Sequence, residues 1–456
     1  MSRDLLLDRA HAHARAFLDT VASRRVCART PDPAIDATLD ETGADPASVL
    51  DALAAVVDAG GLATAGPRYF GFVTGGSHPV AVAADWLVSA WDQNAALHVM
   101  SPAMAAIEDA AAGWLLDLFG LPASASVGFV TGATMANVTC LAAARHEVLR
   151  RAGWDVEADG FQRAPSLRVI AGAGAHASIE SAARLLGFGT ANLIRVAADG
   201  QGRMLPDALQ AALRAGSGPS IVCLQAGHVN TGAFDPFAPL VSIAHRHGAW
   251  VHADGAFGLW ARAAPELRHL ADGLEGADSW AVDAHKWLNV PYDSGVAIVA
   301  HPAAHRASMA QHASYLLRAA GERRDGMDWT PEASRRGRAV PIYAVLKTLG
   351  RRGVIDLITR GCTMARRMAD RLRPHDGITI LNEVVLNQVL VRMRSRDGRN
   401  VTPAVIAAVQ EEGVCWVGGT TWEREPAMRI SISNWATSPD DVDRSTALTM
   451  DAAERV

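Results

Sequence analysis

The sequence predicts an α/β protein: a mostly parallel central sheet with helices on both faces, preceded by an N-terminal helical arm and followed by a small C-terminal α/β domain. Three observations predict it. From Ala125 onward, short runs that are apolar almost without interruption alternate with helical segments, the pattern of parallel strands buried on both faces. Residues 1–66 are alanine-rich and carry helical periodicity only. After Pro374-His-Asp-Gly377 a second, shorter series of strands begins. These features divide the chain into an arm (1–66), a large domain (67–350) and a small domain (351–456).

In order, the arm holds an amphipathic helix from Asp4 to Leu18 and a second from Asp45 to Val57, ended by Gly60-Gly61. Such an arm cannot bury its apolar face alone, so it is expected to lie on the main body or on a second subunit. Arg68 to Pro79 is a glycine-rich loop with three aromatics. A helix is expected from Val80 to Leu97, and another opened by Ser101-Pro102 and stopped by Gly120. The expected strands of the large domain are 127–130, 167–170, 192–196, 220–224, 249–252, 279–282 and 295–299. Residues 321–331 are polar and breaker-rich and read as a mobile loop, followed by helices at 339–349 and 353–372. The small domain is expected to hold strands at 379–381, 388–393, 414–417 and 428–432 around a helix at 402–412.

Composition narrows the function classes. The chain has 456 residues, 49% hydrophobic and 20% charged, with a formal net charge of -5 and no long basic run, which argues against nucleic acid or an anionic membrane as a partner. Five scattered cysteines with no C-x-x-C pair suggest a reducing, cytoplasmic setting without a disulfide framework. No apolar stretch approaches the ~20 residues of a membrane helix. No metal is expected, since His11/His13 and His245/His247 are spaced i,i+2 and do not share a helix face. Twelve tryptophans do not select an aromatic substrate, because most will be packing residues. Arg429 is expected to make a structural ion pair rather than to bind substrate.

The chemistry centres on Asp278-Ser-Trp-Ala-Val-Asp-Ala-His-Lys-Trp287, where Lys286 stands among apolar residues beside His285. A lysine amine taken out of water loses its proton more readily and becomes a usable imine former. Thr131-Gly-Ala-Thr-Met-Ala-Asn137 follows a strand and opens a helix, so its backbone N–H groups suit an anion such as phosphate. Asp254 ends a strand in His252-Ala-Asp-Gly-Ala-Phe-Gly258, and His176 lies just before a helix after another strand. Each has an ordinary alternative as a cap, a turn or a core residue. Together, a phosphate-type helix start, an aspartate, a stacking histidine and a lysine fit a site for pyridoxal 5′-phosphate (PLP), with the aspartate keeping the pyridine nitrogen protonated.

These residues resemble the group II PLP-dependent decarboxylases, the family of aromatic-amino-acid, histidine and glutamate decarboxylases within fold type I. The likeness covers most of residues 65–440. His285-Lys286-Trp287 matches the family's histidine–lysine motif, Asp254-Gly-Ala256 its aspartate-x-alanine, His176 its stacking histidine and Gly132-Ala133-Thr134 its phosphate turn. Asn230-Thr-Gly-Ala-Phe-Asp-Pro236 resembles the stretch whose asparagine lies near the cofactor's phenolic oxygen, and Ser431-Ile-Ser-Asn-Trp435 resembles the C-terminal strand of bacterial members. The resemblance implies an amino-acid decarboxylase acting as a homodimer with shared active sites, in which Phe72, Thr74, Leu97 and His98 shape a substrate pocket.

Two positions depart from the family pattern. Counting back from Trp329 and Arg335-Arg336, the place of the loop tyrosine that returns a proton after CO₂ leaves is Gly326. Either His176, Tyr315 or a water donates instead, or the outcome is an aldehyde or a transamination. The family's asparagine three residues before the lysine is Asp283, which carries no phosphate role here and either faces away from the cofactor or binds a backbone N–H. A catalytically silent paralogue is disfavoured because Lys286, Asp254 and His176 are all retained.

Overall fold

The computed structural model describes residues 3–28, 34–35, 39, 41–311 and 323–456. The chain forms two compact units, a larger one of residues 77–365 and 382–388 and a smaller one of residues 1–76, 366–381 and 389–456.

The larger unit is built on a seven-stranded sheet. In chain order its strands are β1 (Ser126–Val130), β2 (Arg168–Gly172), β3 (Leu193–Val196), β4 (Ser220–Gln225), β5 (Trp250–Asp254), β6 (Ser279–Asp283) and β7 (Gly295–Val299). In space they run β1-β7-β6-β5-β4-β2-β3. The block from β6 to β3 is parallel throughout. β7 is antiparallel to both β6 and β1, so β1 points the same way as β6. β7 is the antiparallel strand of this mostly parallel sheet because the link from Asp283 to Gly295 is too short for a helical crossover, and the chain must turn straight back. β1, β5, β6 and β7 are buried along their whole lengths, which is why each reads as an unbroken apolar run. Helix Ala133–Arg151 lies against β5, β6 and β7. It buries Ala136, Cys140, Leu141 and Ala144 in one cluster with Val130, Ile221, Trp250 and Ala281.

Helix boundaries shift where local chemistry differs from the sequence signal. The helix expected over 80–97 is Pro79–Trp91 and stops at Asp92 in the left-handed region. Helix Pro102–Phe119 ends at Gly120 (φ 62°), as expected. Ser101 does not cap it, because its hydroxyl donates to Gln93 Oε1 at 3.1 Å. The two helices expected at 339–349 and 353–372 are present within Ala339–Leu372, on either side of a kink at Gly350, where the backbone is not helical (φ 61°, ψ 179°).

The smaller unit carries β8 (Ile378–Ile380), β9 (Gln388–Met393), β10 (Gly418–Trp422) and β11 (Glu425–Ser431), in the order β10-β11-β9-β8. The strand expected at 414–417 is not formed; those residues contribute only an isolated bridge between Tyr69 and Trp416, whose rings stack at 5.0 Å. The strand lies just beyond, and β10 turns into β11 through Glu423-Arg424, both at positive φ (52° and 67°). That is the geometry of a two-residue hairpin turn, but without the Asn-Gly signature that would have disclosed it. Among the described residues Arg429 makes no ion pair, contrary to expectation, and its Nε is buried without a hydrogen-bond partner. In the arm, helices Arg3–Thr20 and Pro46–Gly60 meet through Asp51, which accepts from Arg9 Nε at 2.6 Å and lies 2.8 Å from His13 Nε2. No residue of Arg3–Thr20 is buried, and Leu5, Leu7, Val49, Leu53 and Val57 stay exposed. Among the described residues no helix is long and apolar enough to cross a membrane.

Candidate active site

The carboxyl ends of β1, β2, β5 and β6 open on one edge of the sheet, the edge where parallel α/β sheets bind ligands. A cavity of about 330 Å³ lies there. Its walls are Thr131 to Met135 from the turn after β1, His176 and Ser178 after β2, Ala256 after β5, and Asp283, His285 and Lys286 at the end of β6. Asp254 lines an adjoining small hollow that shares His176 with the cavity. Seven of the residues expected from sequence are therefore in its walls (Gly132, Ala133, Thr134, His176, Ala256, His285 and Lys286), and Asp254 is next to it.

Asp254 is buried and meets only neutral donors. Its Oδ2 accepts from Asn137 Nδ2 at 3.2 Å and from Ser178 Oγ at 3.3 Å, and its Oδ1 from the Ala256 N–H at 3.2 Å. No lysine or arginine pairs with it among the described residues. Behind it the hydrogen bonds have one consistent direction. Burial holds His252 well below its usual range, at about 4, so the ring is neutral. Asn137 spends its amide N–H groups on Asp254 and on Ser178 Oγ (3.0 Å), which leaves Asn137 Oδ1 to accept from His252 Nε2 at 2.8 Å. His252 Nδ1 then accepts from Ser279 Oγ at 3.0 Å, and Ser279 Oγ accepts from Trp250 Nε1 at 2.9 Å. Neither Asn137 nor His252 was assigned a role from sequence. The signal was there: both are polar residues inside segments whose neighbours are apolar and buried.

His176 is the N-cap of helix Ala177–Leu185, with its Nδ1 accepting from the Ser178 N–H at 3.1 Å. The same Nδ1 lies 2.8 Å from Ser178 Oγ, the hydroxyl that also faces Asp254. The capping role and the cavity-lining role thus coexist. His285 Nδ1 accepts from the Ser294 N–H at 3.2 Å, its ring lies against Tyr292 at 4.3 Å, and burial lowers its pKa. Lys286 Nζ, its side chain 18% exposed, stands 3.0 Å from Asp283 Oδ2. Of the two readings left open for Asp283, the structure has the second: its Oδ1 accepts from the Ala133 N–H at 2.5 Å.

Other expected residues lie elsewhere. Asn230 is buried, with its N–H donating to His228 Nδ1 at 3.2 Å, and is not in the cavity wall. The motif around it also anchors Asp235, which accepts from the Met204 and Gln225 N–H groups at 2.7 Å each and is pushed up to about 6 by burial. Leu97 packs with Ala96 and Met327, the His98 N–H donates to Asp325 Oδ1 at 2.9 Å, and neither lines the cavity. Phe72 and Thr74 belong to the smaller unit, where the Phe72 ring lies 5.3 Å from Trp416 and Thr74 is buried.

The segment read as a mobile loop is anchored from residue 323 onward. Glu108, fully buried, accepts from Arg324 Nε at 2.8 Å and Arg335 Nη1 at 2.6 Å. Gly326 sits in a buried 3₁₀ turn where a Cβ would run into the Arg335 guanidinium and the Ala95 carbonyl, so no tyrosine fits there. Tyr315, the alternative donor, lies outside the described residues.

The donor set suits PLP. A buried carboxylate surrounded by neutral donors lacks only a cation, which a protonated pyridine nitrogen supplies. The turn at Gly132-Ala133 already receives an anion, the Asp283 carboxylate, on its first helical N–H. Comparison with known proteins agrees. Residues 32–394 match the pyridoxal-dependent decarboxylase conserved domain. L-2,4-diaminobutyrate decarboxylase of Rhizobium meliloti is 30% identical over 383 residues, covering 80% of this chain and 74% of the relative. 4-Hydroxyphenylacetaldehyde synthase of Rhodiola rosea is 28% identical, covering 78% and 74%. The crystal structure of Oryza sativa TDC with PLP and tryptamine shares the fold, with a TM-score of 0.90 at 24% identity over 100% of this chain and 99% of that one. The chain belongs to the pyridoxal-dependent decarboxylase family and is a PLP-dependent lyase acting on an amino acid.

Proposed function

We propose that the cavity at the ends of β1, β2, β5 and β6 is where an L-amino acid loses its α-carboxylate, with Lys286 as the amine that carries the cofactor. The observation that carries this reading is Asp254, a buried carboxylate held by Asn137, Ser178 and Ala256 and, among the described residues, by no cation. When bound, PLP supplies an aldehyde for amine attachment and a ring that accepts the electron pair left by departing CO₂. The chain's own groups do the rest. Asp254 would hold a proton on the ring nitrogen. The turn Gly132-Ala133-Thr134 would receive the phosphate at a helix N-terminus. Ala256 and His176, both in the cavity wall, would contact the ring. His285 is kept in place by Ser294 and Tyr292. Asn230 is assigned to the cofactor's phenolic oxygen, and Phe72, Thr74, Leu97 and His98 to substrate recognition in an assembled dimer.

A homodimer is the assembly that best accounts for the apolar surface of both units: Leu5, Leu7, Leu53 and Val57 in the smaller one, and Trp86, Leu87, Trp91, Val99 and Met100 in the larger one are all exposed. Sedimentation at twice 48.1 kDa is expected. Five free cysteines, four of them buried, favour the cytoplasm.

The direct test is a panel of L-amino acids with the PLP-loaded protein, scored for CO₂, amine, aldehyde, peroxide and keto acid, with Lys286→Ala as control. Amine with stoichiometric CO₂ is the expected product. Aldehyde with peroxide and ammonia would favour the second reading, an aldehyde synthase, which Gly326 invites by having no room for a proton-donating side chain.

A further inference from the structure

The turn assigned to the cofactor's phosphate already holds an anion supplied by the chain. Ala133, the first residue of its helix, gives its N–H to Asp283 Oδ1 at 2.5 Å. The other oxygen of the same carboxylate is 3.0 Å from Lys286 Nζ, and His285 Nε2 is 3.4 Å from Oδ1. The Asp283 side chain is only 3% exposed.

Two glycines allow this reach. Gly295 pairs with Asp283 on one side and with Val130 on the other, so it is the residue lying between the end of β6 and the turn after β1. A Cβ on Gly295 would strike the backbone of Gly132, and a Cβ on Gly132 would come within 3.3 Å of Asp283 Oδ1 and 3.1 Å of His285 Cε1. Side chains are therefore excluded around one carboxylate that spans the gap from the helix N-terminus to the reactive lysine.

This arrangement conflicts with cofactor loading in two ways. A phosphate at the helix start needs the Ala133 N–H that Asp283 now uses, and two anions at that distance repel each other in a site shielded from water. The amine that must bond to the cofactor is meanwhile held as an ion-pair partner. We propose that Asp283 is a built-in occupant of the phosphate seat, which gives up the Ala133 N–H and Lys286 as PLP enters, so that its charge limits how strongly the site selects for the phosphate. The proposal rests on the PLP reading above.

The test compares two ligands with the same ring and aldehyde, PLP and pyridoxal, which lacks the phosphate. Cofactor-free protein is titrated with each, and the visible band of the lysine-bound aldehyde is followed in wild type, Asp283→Asn and Asp283→Ala. The amide of Asp283→Asn keeps an oxygen for the Ala133 N–H, carries no charge and can itself donate to phosphate. The ratio of the pyridoxal Kd to the PLP Kd is expected to rise by about tenfold or more in Asp283→Asn, and in the same direction in Asp283→Ala. Taking the ratio cancels any effect of freeing Lys286, which both ligands share. An unchanged or lower ratio in the variants overturns the proposal. If wild type forms the band with neither ligand, or Lys286→Ala still forms it, the PLP reading itself fails.

Discussion

Asp254 and Asp283 end neighbouring parallel strands, and both are buried, yet the groups that meet them differ in kind. Around Asp254 every partner is a neutral donor: an amide, a hydroxyl and a backbone N–H. Around Asp283 stand a lysine, a histidine and a helix N-terminus. An ionised carboxylate out of water costs several kcal/mol unless it is compensated. At Asp283 the compensation is internal, so the free protein is electrostatically complete there. At Asp254 hydrogen bonds to the charged group recover only part, on the order of 1.5–3 kcal/mol each, and the balance waits for a cation from outside. One end of the site is thus built to receive positive charge, while the other must release its own partners before it can receive negative charge.

The sharpest way to break this comparison is to remove the amine. Lys286→Ala should abolish the visible cofactor band and lower turnover by about 10⁴-fold or more, roughly 5 kcal/mol of barrier, measured as CO₂ release. Asp254→Asn should come next. It keeps the shape but loses the charge, and kcat/KM is expected to fall about 10³-fold, or ~4 kcal/mol. If Asp254→Asn stays within threefold of wild type, the claim that this carboxylate answers a cationic ring nitrogen is wrong. Asn137→Leu attacks the support rather than the charge. It removes the donors to Asp254 and Ser178 and orphans His252 Nε2 inside the core. A stability loss of about 2–4 kcal/mol in urea unfolding is expected, with weaker activity in whatever remains folded.

Much of this was legible in the residues, for identifiable reasons. The parallel strands were readable because burial on both faces leaves continuous apolar runs, as in Ser279–Asp283. Lys286, Asp254 and His176 were readable because polar residues at the ends of such runs need a reason to be there. The antiparallel direction of β7 was not, since nothing in Gly295–Val299 itself encodes direction; the short link before it does. The strand β10 was missed because Gly418-Gly-Thr-Thr-Trp422 has no apolar run, and its apolar neighbours at 414–417 drew the assignment instead. Composition at 321–331 could not reveal that Glu108, more than two hundred residues away, holds Arg324 and Arg335. Asp283 was recognisable as a departure, but its partner Ala133 is brought to it only by the β1-β7-β6 order of the sheet.

The smallest expected effect concerns pH and tests whether the support behind Asp254 depends on an uncharged ring. His252 is buried, and its pKa is lowered from 6.5 to about 4. The unfolded chain therefore binds a proton near pH 6.5 that the folded one refuses. The stability this neutral histidine contributes is fully present above pH 6.5 and is lost as pH falls toward 4, by up to about 3 kcal/mol. His305, lowered to about 3, acts in the same sense, whereas Asp235, raised to about 6, acts in the opposite one, because the folded state takes up its proton first. Comparing wild type with His252→Gln cancels both. Glutamine can still donate to Asn137 Oδ1 but does not titrate, so urea unfolding at pH 7.0, 5.5 and 4.5 should show a smaller loss of stability in the variant. Parallel pH profiles for the two proteins would mean that His252 does not gain a proton on unfolding. In that case the one-way chain of donors from Trp250 through Ser279, His252 and Asn137 to Asp254 would lose its physical basis.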